Sequence, residues 1–172
     1  MQIILRFIDI CMFKAGPADI PASAWLMKLS LLCYFILSLL INTFEYGFLV
    51  SFLASIIEIV FVLFVVNILL QFRGLTNRYF QTVAAIAGTS SCIGIVALPV
   101  MMLFHFFEGS EDVRVTVLAA WLMILLTLWS LAVTGHIFKQ ALAIKQGTAI
   151  VIAVAYVILL MTVIRFVITG VA

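Results

Sequence analysis

Residues 59–66 read IVFVLFVV, an unbroken apolar run inside a longer apolar stretch over residues 48–70. At 1.5 Å per residue, a helix of about 20 residues crosses a hydrocarbon core about 30 Å thick. A strand of a membrane β-barrel alternates apolar and polar side chains, and this run does not alternate. The stretch therefore predicts a membrane-spanning helix and excludes a barrel.

Four further apolar stretches of similar length predict four more spans. The five predicted spans cover residues 25–44, 48–70, 82–105, 115–137 and 148–169. The connections between them are too short to hold a domain outside the membrane. We therefore predict an all-α, polytopic integral membrane bundle of five transmembrane helices, which forms one domain over residues 25–172.

The composition agrees with a chain whose solvent is lipid. Of its 172 residues, 67% are hydrophobic and 9% are charged, against roughly 45–50% and about 25% in soluble domains. The net charge of +2 provides no basic field for nucleic acid. Three cysteines cannot all pair within a disulfide framework. Nucleic-acid binding and a secreted disulfide scaffold are therefore excluded, and membrane lipids are the expected surroundings.

The N-terminal segment, residues 1–24, predicts a short helix followed by a bend. Apolar residues at spacings of three and four give residues 1–13 an apolar face, with Arg6 and Asp9 elsewhere on the helix. The face consists of Ile3, Ile4, Phe7, Ile8 and Cys11. This pattern is typical of a helix that lies in the membrane interface. Both charged residues interrupt the apolar core that a cleaved signal peptide needs, so we expect the segment to be retained. A Pro/Gly linker over residues 14–21 then leads into the first span.

The basic residues predict the orientation of the bundle. If the spans alternate in direction, seven of the nine lysines and arginines fall on one side of the membrane. These seven are Arg6, Lys14, Lys28, Arg73, Arg78, Lys139 and Lys145. Because basic connections stay in the cytoplasm, we predict a cytoplasmic N-terminus and a C-terminus outside.

Glu58 lies near the middle of the second span, where an ionised carboxylate is costly. Ser51 and Ser55 share its helix face, so we expect this polar stripe to turn inward. Two interpretations stay open, a proton or ion relay and a structural acid that is paired or permanently protonated. Arg165 in the fifth span is the candidate partner, and the alternative is that its side chain reaches the outer headgroups.

Small residues mark the third span. Ala84, Gly88 and Cys92 recur every four residues, ahead of Pro99. Small side chains at this spacing let helices approach closely, and a proline kinks a helix. The two interpretations are close helix packing and a gating hinge at Pro99.

Groups that could carry catalysis or bind a metal are few. His105 and Glu108, three residues apart at the end of the third span, are candidate metal ligands, and side chains that face water are the alternative. His136 is expected at the membrane interface. The sequence contains no GxSxG, HExxH, CxxC or phosphate-binding glycine loop. We therefore expect no metal, no cofactor and no enzymatic activity.

Two local sequences resemble those of a known family. Residues 129–133 (WSLAV) and 138–142 (FKQAL) combine a tryptophan-bearing span with a short basic turn. Residues 78–82 (RYFQT) open a glycine-containing span that holds Pro99. In these sequences and in its five-span plan, the chain resembles the Yip-domain family of membrane proteins. Its short N-terminal region is similar to the compact bacterial members, which implies a bacterial inner membrane.

Two functions from different classes follow. The first is a non-enzymatic scaffold or accessory subunit that binds other membrane components, including other membrane proteins or a second copy of itself. The alternative is a small proton- or solute-coupled transporter or channel that uses Glu58. A transporter usually shows several intramembrane polar groups and an internal repeat. Because five spans do not divide into equal halves, we prefer the first function.

Overall fold

The computed structural model describes residues 2–107 and 113–171. Over these two ranges the chain forms six α-helices and no strand. The helices are α1 (Gln2–Cys11), α2 (Ala24–Asn42), α3 (Phe48–Phe72), α4 (Tyr79–Phe107), α5 (Val113–Ala141) and α6 (Gln146–Val171). The prediction of an all-α fold is confirmed.

Five of these helices, α2 to α6, are long and apolar enough to cross a membrane. Their most apolar windows have mean hydropathies between 1.9 and 2.8. The 19 residues of α2 extend about 28 Å and the 29 residues of α4 about 43 Å. These helices coincide with the five predicted spans, although α5 continues to Ala141, beyond the predicted end at residue 137. A helix needs no apolar surroundings to form its own hydrogen bonds, so hydropathy alone placed that end too early.

The helix α4 occupies the centre of the bundle. It packs against α1, α2, α3 and α5, while α6 packs against α3 and α5. Residues 82–87 of α4 expose 3% of their surface or less. A helix that is buried on every side in this way belongs to the core.

Hydrogen bonds join several helix ends on one side of the bundle, which we call the basic end. Arg73 Nε donates to the carbonyl of Leu142 at 3.2 Å, and Arg78 Nη1 donates to the carbonyl of Gln140 at 3.0 Å. The last carbonyls of a helix lack intrahelical donors and attract cations, so both arginines stabilise the end of α5. The basic end therefore combines the ends of α3 and α5 with the start of α4.

The core is concentrated in the half of the bundle next to the basic end. The buried residues of α5 are Ala119 and then Val133, Gly135, Ile137, Phe138 and Ala141. In α6, no described side chain beyond Tyr156 is buried. The apolar window of α4 is 56% buried, against 6% for α5 and 11% for α6. The other half, which we call the far half, is therefore loosely packed along α5 and α6.

The short helix α1 packs against the side of α4. Its buried residues are Phe7, Ile10 and Cys11. The ring of Phe7 fills the space that a Cβ at Gly88 would need, and Trp129 Nε1 donates to the Cys11 carbonyl at 3.0 Å. Gly88 lies nine residues into α4, about 14 Å from its start.

The apolar face predicted for α1 is therefore only partly right. That face contained Ile3, Ile4, Phe7, Ile8 and Cys11. The structure buries Phe7 and Cys11 together with Ile10, and it leaves the other three exposed. These three isoleucines lie on the outer surface of the bundle, and the location of α1 in the membrane interface stays a prediction.

Candidate functional site

Glu58 in α3 accepts hydrogen bonds from three side chains of α2. Ser38 Oγ donates to Oε2 at 2.6 Å and Tyr34 Oη donates to the same oxygen at 3.1 Å. Asn42 Nδ2 donates to Oε1 at 3.5 Å. These donors are spaced four residues apart, so they share one face of α2. Glu58 lies ten residues from the start of α3 at Phe48, which is about 15 Å along the helix.

The serine stripe of α3 extends this cluster. Ser51 and Ser55 are both fully buried, as expected of a stripe that turns inward. Ser38 Oγ lies 3.0 Å from Ser55 Oγ, and the Ser55 hydroxyl donates to the carbonyl of Ser51 at 2.8 Å. Because the Ser55 hydroxyl uses its own hydrogen in this way, its oxygen can accept a hydrogen bond from Ser38.

This arrangement has hydrogen-bond partners for both charge states of Glu58. When the carboxylate is ionised, the single Ser38 proton points to it, and 2.6 Å is typical of a hydroxyl that donates to a charged oxygen. When Glu58 is protonated, it can donate to Ser38, whose own proton then turns to Ser55. Neither charge state thus leaves a buried polar group of the cluster unpaired.

A cavity of about 130 Å³ adjoins the carboxylate between α2, α3 and α4. It is lined by Tyr34, Leu37, Ser38, Ile41, Asn42, Glu58, Ser90 and Gly94. This volume is large enough for a few water molecules or a small cationic group. An acidic side chain at this depth favours the binding of a proton, a cation or a hydrogen-bond donor.

Apolar side chains separate this cavity from the basic end. Val62, Val66 and Leu70 follow Glu58 along α3 and expose 0%, 1% and 1% of their surface. On α4 the hydroxyl of Thr89 donates to the Ala85 carbonyl of its own helix at 2.7 Å. These residues form an apolar block between the cavity and the basic end. An open channel through the bundle would need polar groups or water at this level.

Arg165 is not a donor to Glu58, so the pairing hypothesis is wrong in this structure. The helices α3 and α6 are neighbours, as that hypothesis required. The side chains that meet there are Val50, Leu53, Ala54, Ile164, Val167 and Ile168. Because each residue turns a helix by about 100°, Arg165 lies off the face formed by 164, 167 and 168. Its side chain is exposed, which leaves the headgroup interpretation.

The small residues of α4 lie where the short helix α1 packs against it. Ala84 and Gly88 are buried and Cys92 is half-buried. The close contact at Gly88 is made by Phe7 of α1. This favours close packing as the role of the small residues. Pro99 lies inside α4, which continues without a break to Phe107, and the hinge at Pro99 stays a prediction.

The structure describes only one of the two candidate metal ligands, His105. Glu108 lies outside the described residues, and His105 is exposed at the end of α4, with its ring centroid 6.0 Å from that of Phe44. Among the described residues, no group of three or more His, Cys, Asp and Glu side chains is placed to hold a metal ion.

The partners of Glu58 on α2 were not among the residues predicted from the sequence. Tyr34, Ser38 and Asn42 recur every four residues in the first span. Polar side chains that share one face of a membrane helix were a readable signal. Only the register between α2 and α3 shows that these residues meet Glu58.

The chain was compared with protein-family models, curated proteins and solved structures. None of them matches. The resemblance to the Yip-domain family therefore stays a prediction.

Proposed function

We propose that this chain is a non-enzymatic, multi-pass membrane protein that binds another component of the membrane, as a scaffold or accessory subunit similar to the Yip-domain proteins. The observation that carries this proposal is an apolar cavity of about 280 Å³ between α4, α5 and α6. It lies where the packed half of the bundle gives way to the far half. Its lining includes Ala97, Thr127 and Ser130.

The physics of helix association in lipid supports this assignment. Lipid tails are as apolar as the helices, so membrane helices associate through close packing and polar contacts. The cavity between α4, α5 and α6 offers a partner both close packing, at Ala97, and polar contacts, at the hydroxyls of Thr127 and Ser130. The expected occupant is a transmembrane segment of another protein or of a second copy of this chain.

The location proposed for the protein is a bacterial inner membrane with the basic end in the cytoplasm. The distribution of seven of the nine basic residues supports this orientation. The resemblance to compact bacterial Yip-domain proteins supports the choice of membrane.

Co-purification from the native membrane tests the binding function. Ala97→Leu places a larger side chain in the cavity, and Ala155→Leu makes the same change on the exposed surface of α6. We expect a stoichiometric partner, or a dimer, with the wild type and with Ala155→Leu, and its loss with Ala97→Leu. A monomer without partners in all three preparations would contradict the proposal.

The Glu58 cluster favours a second candidate, a proton- or solute-coupled transporter. Its support is the set of donors that fits both charge states of the carboxylate. The apolar block between Glu58 and the basic end counts against a permanently open channel, so transport would need that block to open. Proton flux into liposomes that is abolished by Glu58→Gln would make this the preferred function.

A further inference from the structure

A third cavity, of about 250 Å³, lies between α5 and α6 at the basic end. Its lining residues are Phe13, Ala132, Gly135, His136, Lys139, Gln146 and Ile150. It shares no lining residue with the Glu58 pocket or with the cavity between α4, α5 and α6. Neither proposed function therefore assigns it a role.

The cavity contains a cation without a matching anion. Lys139 Nζ donates only weakly, at 3.4 Å, to the neutral amide oxygen of Gln146. None of the seven lining residues is acidic. The cavity lies between the last turn of α5 and the first turn of α6, whose opposite helix-end potentials offset each other, so Lys139 is the charge that decides. An anion is the ligand that this charge distribution favours.

The imidazole of His136 is held in a fixed position beside the lysine. Its Nε2 lies 3.0 Å from the Ala15 carbonyl oxygen. The ring of Phe13 packs edge-on against it, with 5.4 Å between the ring centroids. The polar part of the cavity is therefore built by the N-terminal segment together with α5.

The apolar part of the cavity extends deeper into the bundle. Lys139 lies two residues from the end of α5, and Ala132 lies seven residues further in, about 11 Å deeper. Ile150 and the ring of Phe13 also border this space. A free phosphate ion would leave the apolar part empty, whereas a phospholipid places its phosphate at the level of the lysine and its acyl chains below.

We propose that this cavity binds an anionic membrane phospholipid, with the phosphate against Lys139 and the first acyl carbons against Phe13 and Ile150. Basic pockets between transmembrane helices suit such headgroups. The lipid would connect α5, α6 and the N-terminal segment. The site is independent of the partner proposed above.

Lipid titration followed by native mass spectrometry tests this site. The probes are dioleoylphosphatidylglycerol and, as the neutral comparison, dioleoylphosphatidylcholine. Lys139→Gln removes the cation from the cavity, and Lys145→Gln makes the same charge change at an exposed residue outside the lining. We expect Lys139→Gln to weaken phosphatidylglycerol binding about tenfold or more, because it removes a charge-assisted contact. Lys145→Gln should change it less than about twofold.

Three outcomes would overturn the proposal. Equal weakening by both substitutions would mean a diffuse surface field, and equal binding of both lipids would mean that no anion is selected. Displacement of the lipid by millimolar inorganic phosphate would mean that a free anion occupies the site. If Lys139→Gln does not fold, Ile150→Trp, which fills the apolar part and keeps all charges, should weaken phosphatidylglycerol binding, and unchanged binding would refute the site.

Discussion

Replacing Ser38 by alanine should destabilise the bundle mainly through Glu58. The substitution removes the 2.6 Å hydrogen bond to the carboxylate and leaves Tyr34 and Asn42 as the remaining donors. A hydrogen bond to a charged group contributes about 1.5–3 kcal/mol to stability, and one between neutral groups about 0.5–1.5 kcal/mol. If Glu58 is ionised, Ser38→Ala should therefore cost about 1–1.5 kcal/mol more in the wild type than in a Glu58→Gln background.

The assay is a double-mutant cycle on the free energy of unfolding in mixed detergent micelles. Arg165→Gln is the control, because its exposed side chain makes no contact with Glu58. Its effect should add to that of Glu58→Gln within about 0.5 kcal/mol. A coupling between Ser38 and Glu58 that is no larger than this would refute an ionised Glu58 held by Ser38. An equal coupling between Arg165 and Glu58 would refute Ser38 as the principal partner.

Three further predictions concern α1, Cys11 and the topology. Gly88→Ala places a Cβ against the ring of Phe7, whereas a Cβ at Gly147 meets open space. The Gly88→Ala protein should therefore be less stable than the Gly147→Ala protein in thermal unfolding by about 1–3 kcal/mol. Equal stability of the two would contradict the packing of α1. The Cys11 thiol is buried against α4, so N-ethylmaleimide should label Cys11 much faster after unfolding in SDS than in the folded protein, as read by peptide mass spectrometry. Equal labelling of Cys11 in both states would show that α1 is detached. A reporter active only in the cytoplasm and fused to the C-terminus should give no signal, and a signal there would reverse the proposed orientation.

The positions of the spans were predictable because lipid imposes one simple rule on the chain. Every backbone N–H and C=O in the hydrocarbon must be paired within its own helix, so about 20 consecutive apolar residues define a span. The stretch over residues 48–70 satisfies this rule, and α3 covers Phe48–Phe72. Rules of this kind use only length and hydropathy, which any sequence displays directly.

The neighbours of a buried polar residue were harder to predict because they depend on helix rotation. Arg165 was the predicted partner of Glu58, and α3 and α6 are indeed neighbours. A rotation of one residue, about 100°, decides whether a side chain faces a neighbouring helix or lipid. Many small packing contacts set that rotation, and no local pattern in the sequence reports their sum.

The face on which α1 packs depended on a distant glycine. Periodicity predicted one apolar face, but Leu5 and Ile10 outside that face are apolar as well, so several orientations of the helix bury apolar side chains. The notch at Gly88 accepts the ring of Phe7 and thereby selects one of them. That choice joins two residues 81 positions apart in the chain, and a single sequence contains no signal for such a pair.

The uneven core divides the bundle into parts that open with different free energies. Amides of the well-packed half, such as those of residues 82–87 in α4, should exchange with deuterium only when the whole bundle unfolds. Beyond Tyr156 the exposed side chains of α6 face lipid, and because its backbone stays paired within the helix, this end of α6 can tilt away from the bundle without unfolding. A guest helix could therefore enter and leave the far half while the basic end stays folded, and its rate of exchange would be set by this tilting motion.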